Sequence, residues 1–405
     1  MKRKIVENTD GYVAGKLMSC ALWPHFGEEE IEAVRSVLAS GKVNYWTGEE
    51  VQQFEKEFAA FTGSAYAIAL MNGSVALEAI LHAMEIGSGD EVIVTPRSFI
   101  ASAGCAVLRG ARPVFADVDA ASQNISLSSI EKAITPRTKA IIAVHLAGWP
   151  CDMDAICDLA RKYHLHVIED CAQAHGSRYK GRPVGSLGDA AAFSFCQDKI
   201  MTTGGEGGMV TTSDRKIWEK IWSYKDHGKN FDAVYNRTHA SGFRWLHESF
   251  GTNLRMTEMQ GAIGRIQLRK LPEWVDLRRR NAAILAEHFK EISAFRVTVP
   301  PPDVFHSYYK YYVFIRLEKL KPEWSRNRII EKIVDQGVPC FSGSCGEIYR
   351  EKAFTAAGLN PDVRLPIARE LGETSLMFLV HPTLSEQDMV AMADVIEDVM
   401  KEVMI

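Results

Sequence analysis

What most constrains this chain is an alternation of short apolar runs with helix-spaced segments through its first two thirds. Glu28 to Ser40 spaces Ile31, Val34, Val37 and Leu38 as a helix does, with Gly41 as its stop. Ala65 to Leu70 reads as a buried strand, and Asn72-Gly73-Ser74 then opens a helix running to about Ile86. Strands are expected at Glu91–Thr95, Pro113–Val118, Lys139–His145 and His166–Glu169, with a helix at Asp152–Tyr163 between the last two. Ser128 and Glu131 have capping-box spacing for a further short helix. Ala190–Phe195 and Gly208–Thr212 make a strand pair around a glycine-rich loop. Short apolar strands alternating with helices require a largely parallel sheet covered on both faces, so the fold class is α/β.

The pattern changes after Thr257. Thr257–Leu271 and Asp276–Ile292 read as two helices. Pro300-Pro301-Pro302 marks a linker, because three prolines fit neither a helix nor a central strand. A strand at Tyr308–Leu317 and helices at Ser325–Gln336 and Ser385–Val403 follow. The last helix puts Met389, Met392, Ala393, Ile396, Val399, Met400 and Val403 on one stripe, as core packing needs. We expect a large domain over 1–295 and a smaller C-terminal α+β domain over 296–405.

Lys and Arg number 47 against 51 Asp and Glu, a net charge of -4, which gives no electrostatic basis for coating nucleic acid. No apolar run reaches the ~18 residues of a membrane span. The basic start Met1-Lys2-Arg3-Lys4 meets Glu7 to Asp10 where a signal peptide would be apolar. Eight cysteines include no C-x-x-C pair, so reduced thiols and a cytoplasmic location are expected.

Several residues stand where chemistry could sit. Gly73 and Ser74 open a helix whose free N–H groups suit a phosphate, and Ser74 can either cap that helix or bond a phosphate oxygen. Gly204 to Gly208 fits no usual nucleotide motif; it is either a flexible turn or a place of close backbone approach. Gly185 to Gly188 reads as a plain turn. Lys199 follows the strand ending at Phe195. It is either a surface charge or, if desolvated, a Schiff-base lysine. Asp170 ends a strand at the edge where α/β sheets hold ligands. It is either a turn cap or a carboxylate needing a cation such as a pyridinium. The histidines make no metal-ligand set.

Five segments in order resemble the DegT/DnrJ/StrS sugar aminotransferases, fold type I enzymes that use pyridoxal 5'-phosphate. They are Asn72–Leu77, Thr95–Phe99, Glu169–Gly176, Ser194–Lys199 with Thr202–Gly208, and Gly251–Glu258. The resemblance implies that Lys199 holds the cofactor as a Schiff base and then carries a proton between Cα and C4′. Asp170 would pair with the pyridine nitrogen, so that the ring acts as an electron sink. Phe99 would stack on the ring, and Gln173 would lie near its phenolic oxygen. Gly73, Ser74 and Ser194 would bind the phosphate, with Asn253 reaching it from the other subunit of a homodimer. This chain has Cys196 where the family usually has His, and one more glycine after the lysine. It also differs at Asn230–Ser249 and Ser342–Cys345, regions that contact the sugar in the family.

The expected activity is transfer of an amino group from an amino acid, glutamate by resemblance, to a keto-sugar. That sugar is nucleotide-linked or a free keto-sugar acid, in surface polysaccharide or secondary-metabolite biosynthesis. Two rivals share the fold: a pyridoxal-phosphate sugar dehydratase, whose relatives replace the lysine, usually by His, and a non-catalytic regulatory protein.

Overall fold

The computed structural model describes residues 22–405; the basic start at Met1 and Cys20 lie outside the described residues. A seven-stranded sheet runs in the order Tyr66–Leu70, Gly208–Thr212, Ala190–Ser194, His166–Asp170, Thr138–Val144, Glu91–Val94, Arg112–Phe115. Gly208–Thr212 is antiparallel to both its neighbours. The pairings from Ala190–Ser194 to the far edge are parallel. Side chains alternate between two cores, as a period of two demands. Ile68 and Leu70 pack with Ala76 and Ile80 of the helix Gly73–Ala83, whereas Ala67 and Ala69 pack with Phe54 and Phe58 of the helix Glu50–Thr62. Both faces are buried, which explains the unbroken apolar runs.

Two sequence expectations need correction. The two helices expected at Thr257–Leu271 and Asp276–Ile292 are one, Glu258–Phe289, with Pro272 inside it. A proline removes one backbone hydrogen bond, but Leu271, Trp274 and Val275 around it are buried and hold the helix together. The helix Leu127–Ala133 starts from Ser126 with no side-chain cap, so Ser128 and Glu131 form no capping box.

A second, four-stranded antiparallel sheet joins Phe295–Arg296, Tyr311–Ile315, Ser375–Phe378 and Cys340–Phe341. The helices Arg326–Asp335 and Glu386–Val403 share its core. All seven residues of the Met389–Val403 stripe are buried there. The end of the long helix enters the same core through Leu285 and Phe289, while Ile348, Tyr349 and Phe354 return to the core of the large sheet. Among the described residues no helix is long and apolar enough to cross a membrane.

Candidate active site

One rim of the large sheet collects the singled-out residues. Leu70 pairs with Gly208, Gly208 with Ser194, and Val144 with Asp170. Leu70, Val144, Asp170 and Ser194 are the carboxyl ends of their strands and Gly208 starts the antiparallel one, so the rim is the one where open α/β sheets leave a crevice. Gly208 approaches the turn before the helix so closely that a Cβ there would lie 2.3 Å from the Asn72 carbonyl oxygen. A Cβ on Gly73 would lie 2.7 Å from the Ser194 Cβ. Glycine is therefore required at both places, and the helix N-terminus abuts Ser194.

That helix is capped by Asn72, whose side chain accepts from Val75 N at 3.0 Å. Ser74 is exposed and is not the cap. The exposed Ser74 stands in the first turn of a helix whose start, Gly73, lies against Ser194, a place that suits a phosphate dianion. Asn253 is exposed on the neighbouring segment, where Leu254 O accepts from Met71 N at 2.9 Å.

Lys199 lies in the connection between Ala190–Ser194 and Gly208–Thr212. Gly204 and Gly205 turn this connection with φ of 91° and 115°. Its main chain is tied on both sides: Lys199 N donates to Cys196 O at 3.0 Å, and the Trp23 indole donates to Lys199 O at 2.9 Å. The side chain is 15% exposed, with Nζ 3.8 Å from Asp198 Oδ1 and 5.0 Å from the centre of the Tyr309 ring. The Tyr309 hydroxyl donates to the other Asp198 oxygen. Burial pushes the Tyr309 phenol far up, so it remains a donor. Burial also opposes ionisation of Asp198, but the charges of Lys199 and Lys310 outweigh it and hold the carboxyl below its usual range. His175 is buried beneath the loop against Phe193 and Phe195. Burial, then the Lys199 charge, push its imidazole down to about 3, so it is neutral.

Asp170 is 5% exposed. Oδ1 accepts from Ala172 N at 3.1 Å and Oδ2 from the Ser102 hydroxyl at 2.7 Å. It is thus more than a turn cap, and no Lys or Arg among the described residues pairs with it. A buried carboxylate without a cation is costly, and the N–H of a pyridinium would supply that cation. Gln173 presents Oε1 to Ala147 N at 2.8 Å, which turns the donor end of its amide away from that contact. Phe99 is 65% exposed in the connection between Glu91–Val94 and the helix Ala101–Leu108, an apolar side chain open to a flat ring.

The loop Gly185–Gly188 is not a plain turn. Gly185, Leu187 and Gly188 all donate backbone N–H groups to the buried Glu169 carboxylate, at 3.0, 2.7 and 2.9 Å. Burial opposes charge on Glu169, yet His145 and these N–H groups hold its carboxyl below the usual range. Trp23, Ser102, Asp198 and Tyr309 were not singled out from the sequence. Apart from Asp198, which sits beside the lysine, only long-range contacts bring them to the site.

A helix N-terminus beside two serines, a buried carboxylate lacking a cation, an open phenylalanine face and a half-sheltered lysine together fit pyridoxal phosphate. Residues 24–399 match the sequence model of the DegT/DnrJ/EryC1/StrS aminotransferase family. A solved aminotransferase from Psychrobacter cryohalolentis is 56% identical with a TM-score of 0.93, over 95% of this chain and 99% of that one. The spore coat polysaccharide biosynthesis protein SpsC of Bacillus subtilis (strain 168) is 35% identical over 93% of this chain and 96% of its own. GDP-perosamine synthase of Escherichia coli O157:H7 is 35% identical over 91% of this chain and 93% of its own. This chain belongs to the DegT/DnrJ/EryC1/StrS family and is a pyridoxal-phosphate-dependent sugar aminotransferase.

Proposed function

We propose that this enzyme takes its amino group from glutamate and delivers it to the keto carbon of a nucleotide-linked sugar, with Lys199 as the reacting amine. The observation that carries the reading is the rim that holds Lys199, the uncompensated Asp170 and the Gly73–Ser74 helix start together. The nucleotide-linked substrate draws support from the GDP-sugar in the name of one relative. The free keto-sugar acid is the alternative outcome of the substrate test.

When bound, pyridoxal phosphate supplies an electron sink for the carbanion left when a substrate C–H proton is removed. The protein's residues do the rest. Lys199 Nζ would hold the cofactor and would serve as the amine that moves a proton between two carbons. Asp170 would keep the ring nitrogen protonated. Gly73 and Ser74, with Ser194, would bind the phosphate. Phe99 would stack on the ring, and Gln173 would donate to its phenolic oxygen. A lysine retained at 199 argues against the dehydratase reading, whose relatives lack it.

Asn253 reaches the phosphate of a second subunit in a homodimer. Phe243, Trp245 and Phe250 are exposed at 77, 84 and 97%, an apolar surface that a second copy would bury. We infer a division of the chain near 295/296, supported by the smaller sheet beginning at Phe295. A cytoplasmic location rests on the cysteines being free among the described residues.

The test is a panel of nucleotide-linked keto-sugars and free keto-sugar acids, each with glutamate or glutamine, read by mass spectrometry. Amination of a nucleotide-linked keto-sugar with formation of 2-oxoglutarate is expected. Amination of free keto-sugar acids alone would overturn the substrate assignment, and loss of water without amination would restore the dehydratase reading.

A further inference from the structure

The segment 98–102 does two things at once. Phe99 offers its ring face to the crevice, and Ser98 and Ser102 on either side are buried, at 2 and 1% exposure. Ser102 sits in the first turn of the helix Ala101–Leu108, where its N–H donates to Phe99 O. Its hydroxyl is 2.7 Å from Asp170 Oδ2 and 2.9 Å from the Ser98 hydroxyl. A serine hydroxyl has one proton. An ionised Asp170 only accepts, so Ser102 donates to it and Ser98 must donate to Ser102. Two donors in series pointing one way polarise each other and end on the carboxylate. Ser98 is itself fixed by a backbone bridge to Cys345.

Without Ser102, a single 3.1 Å bond from Ala172 N would hold Asp170 on the protein side. One bond leaves the carboxylate free to swing about its χ2, whereas two fix its plane. We propose that Ser102, with its proton aimed by Ser98, is a positioning residue that orients the Asp170 carboxylate toward the cofactor's ring nitrogen. The same five-residue segment then sets both the ring's stacking face and the direction of its nitrogen partner. This rests on the role assigned to Asp170 above.

The test is a double-mutant cycle in the full-length holoenzyme with Asp170→Asn, Ser102→Ala and both together. A spectroscopic reading uses cofactor labelled with 15N at the ring nitrogen. Ser102→Ala is expected to lower kcat by about tenfold, within the range for one hydrogen bond to a charged group. In the Asp170→Asn background it should change kcat by less than about twofold, since it acts through that carboxylate. Ser102→Ala should move the ring-nitrogen signal from the protonated toward the unprotonated position, and Ser102→Thr should return both kcat and signal. Ser98→Ala should give a smaller loss of the same kind. If the alanine chain does not fold, Ser102→Cys, of similar size and a weak donor, carries the same expectations.

Equal losses from Ser102→Ala in both backgrounds, or lost turnover with an unmoved 15N signal, would overturn the proposal and make Ser102 a packing residue. Undiminished turnover in Ser102→Ala would do the same while leaving Asp170 in its role. Undiminished turnover in Asp170→Asn would overturn the role of Asp170 and this proposal together.

Discussion

At Lys199 the chain combines a largely buried amine with tight support of its backbone. Cys196 O and the Trp23 indole tie the main chain, and Asp198, held by Tyr309, stands beside the side chain. Lys199→Ala should still bind pyridoxal phosphate through the phosphate and ring contacts. Its turnover should fall to background, because no other amine replaces the proton carrier; measurable steady-state transamination would place that role elsewhere. Asp170→Asn should lose at least about a hundredfold in kcat, the scale of a charge placed against a reacting centre. The dissociation constant of the cofactor should change far less, as an equilibrium titration of the apo chain would report. The places of Lys199 and Asp170 were legible in the sequence because one follows a buried strand and the other ends one, at the side where an α/β sheet opens its crevice. Trp23, Ser102 and Tyr309 were not. They lie 176, 68 and 111 positions from the residues they bond, and no local pattern encodes such a contact.

Elements were legible where periodicity and punctuation agree. The final helix is the clear case: its stripe is buried and Ser385 caps it. They were misread where a local signal lost to packing, as with Pro272 inside a helix buried on both sides of it. The Gly185–Gly188 loop was misread for a different reason, because its order comes from Glu169 on another element. Glu169→Ala should cost at least about 1–3 kcal/mol, the range for leaving a buried donor unsatisfied, because the N–H groups of Gly185, Leu187 and Gly188 lose their acceptor. The sign of its pH dependence follows from the depressed carboxyl. Its contribution is present above the unfolded-state value of ~4.3 and is lost as pH falls through the lower folded value. Wild type should therefore lose stability below about pH 4 faster than Glu169→Gln, measured by urea unfolding across that window. Parallel curves would assign acid sensitivity to other groups. Gly208→Ala places a methyl against backbone atoms that cannot yield. It should destabilise by about 1–3 kcal/mol and weaken cofactor binding about tenfold by displacing the helix start. An alanine chain with unaltered cofactor affinity would separate that turn from the phosphate site.

On the scale of the whole molecule, α/β architecture and a second C-terminal core were legible from the order of elements. A dimer whose sites are shared between subunits is the proposal at this scale, and closed two-fold pairs are the commonest homo-oligomers. Chains carrying Lys199→Ala and Asn253→Ala, each inactive or badly impaired alone, should recover part of the activity when co-refolded. One site of a mixed dimer then carries both lesions and the other neither. No recovery in verified mixed dimers would mean that Asn253 serves its own subunit. The point of attachment of the cofactor decides the chemistry of the whole molecule, and reduction of the holoenzyme with borohydride, followed by peptide mapping, reads it directly. The expected result is a single pyridoxyl group on the peptide containing Lys199, with no label in Lys199→Ala; a pyridoxyl group on any other lysine of the wild-type chain would contradict it.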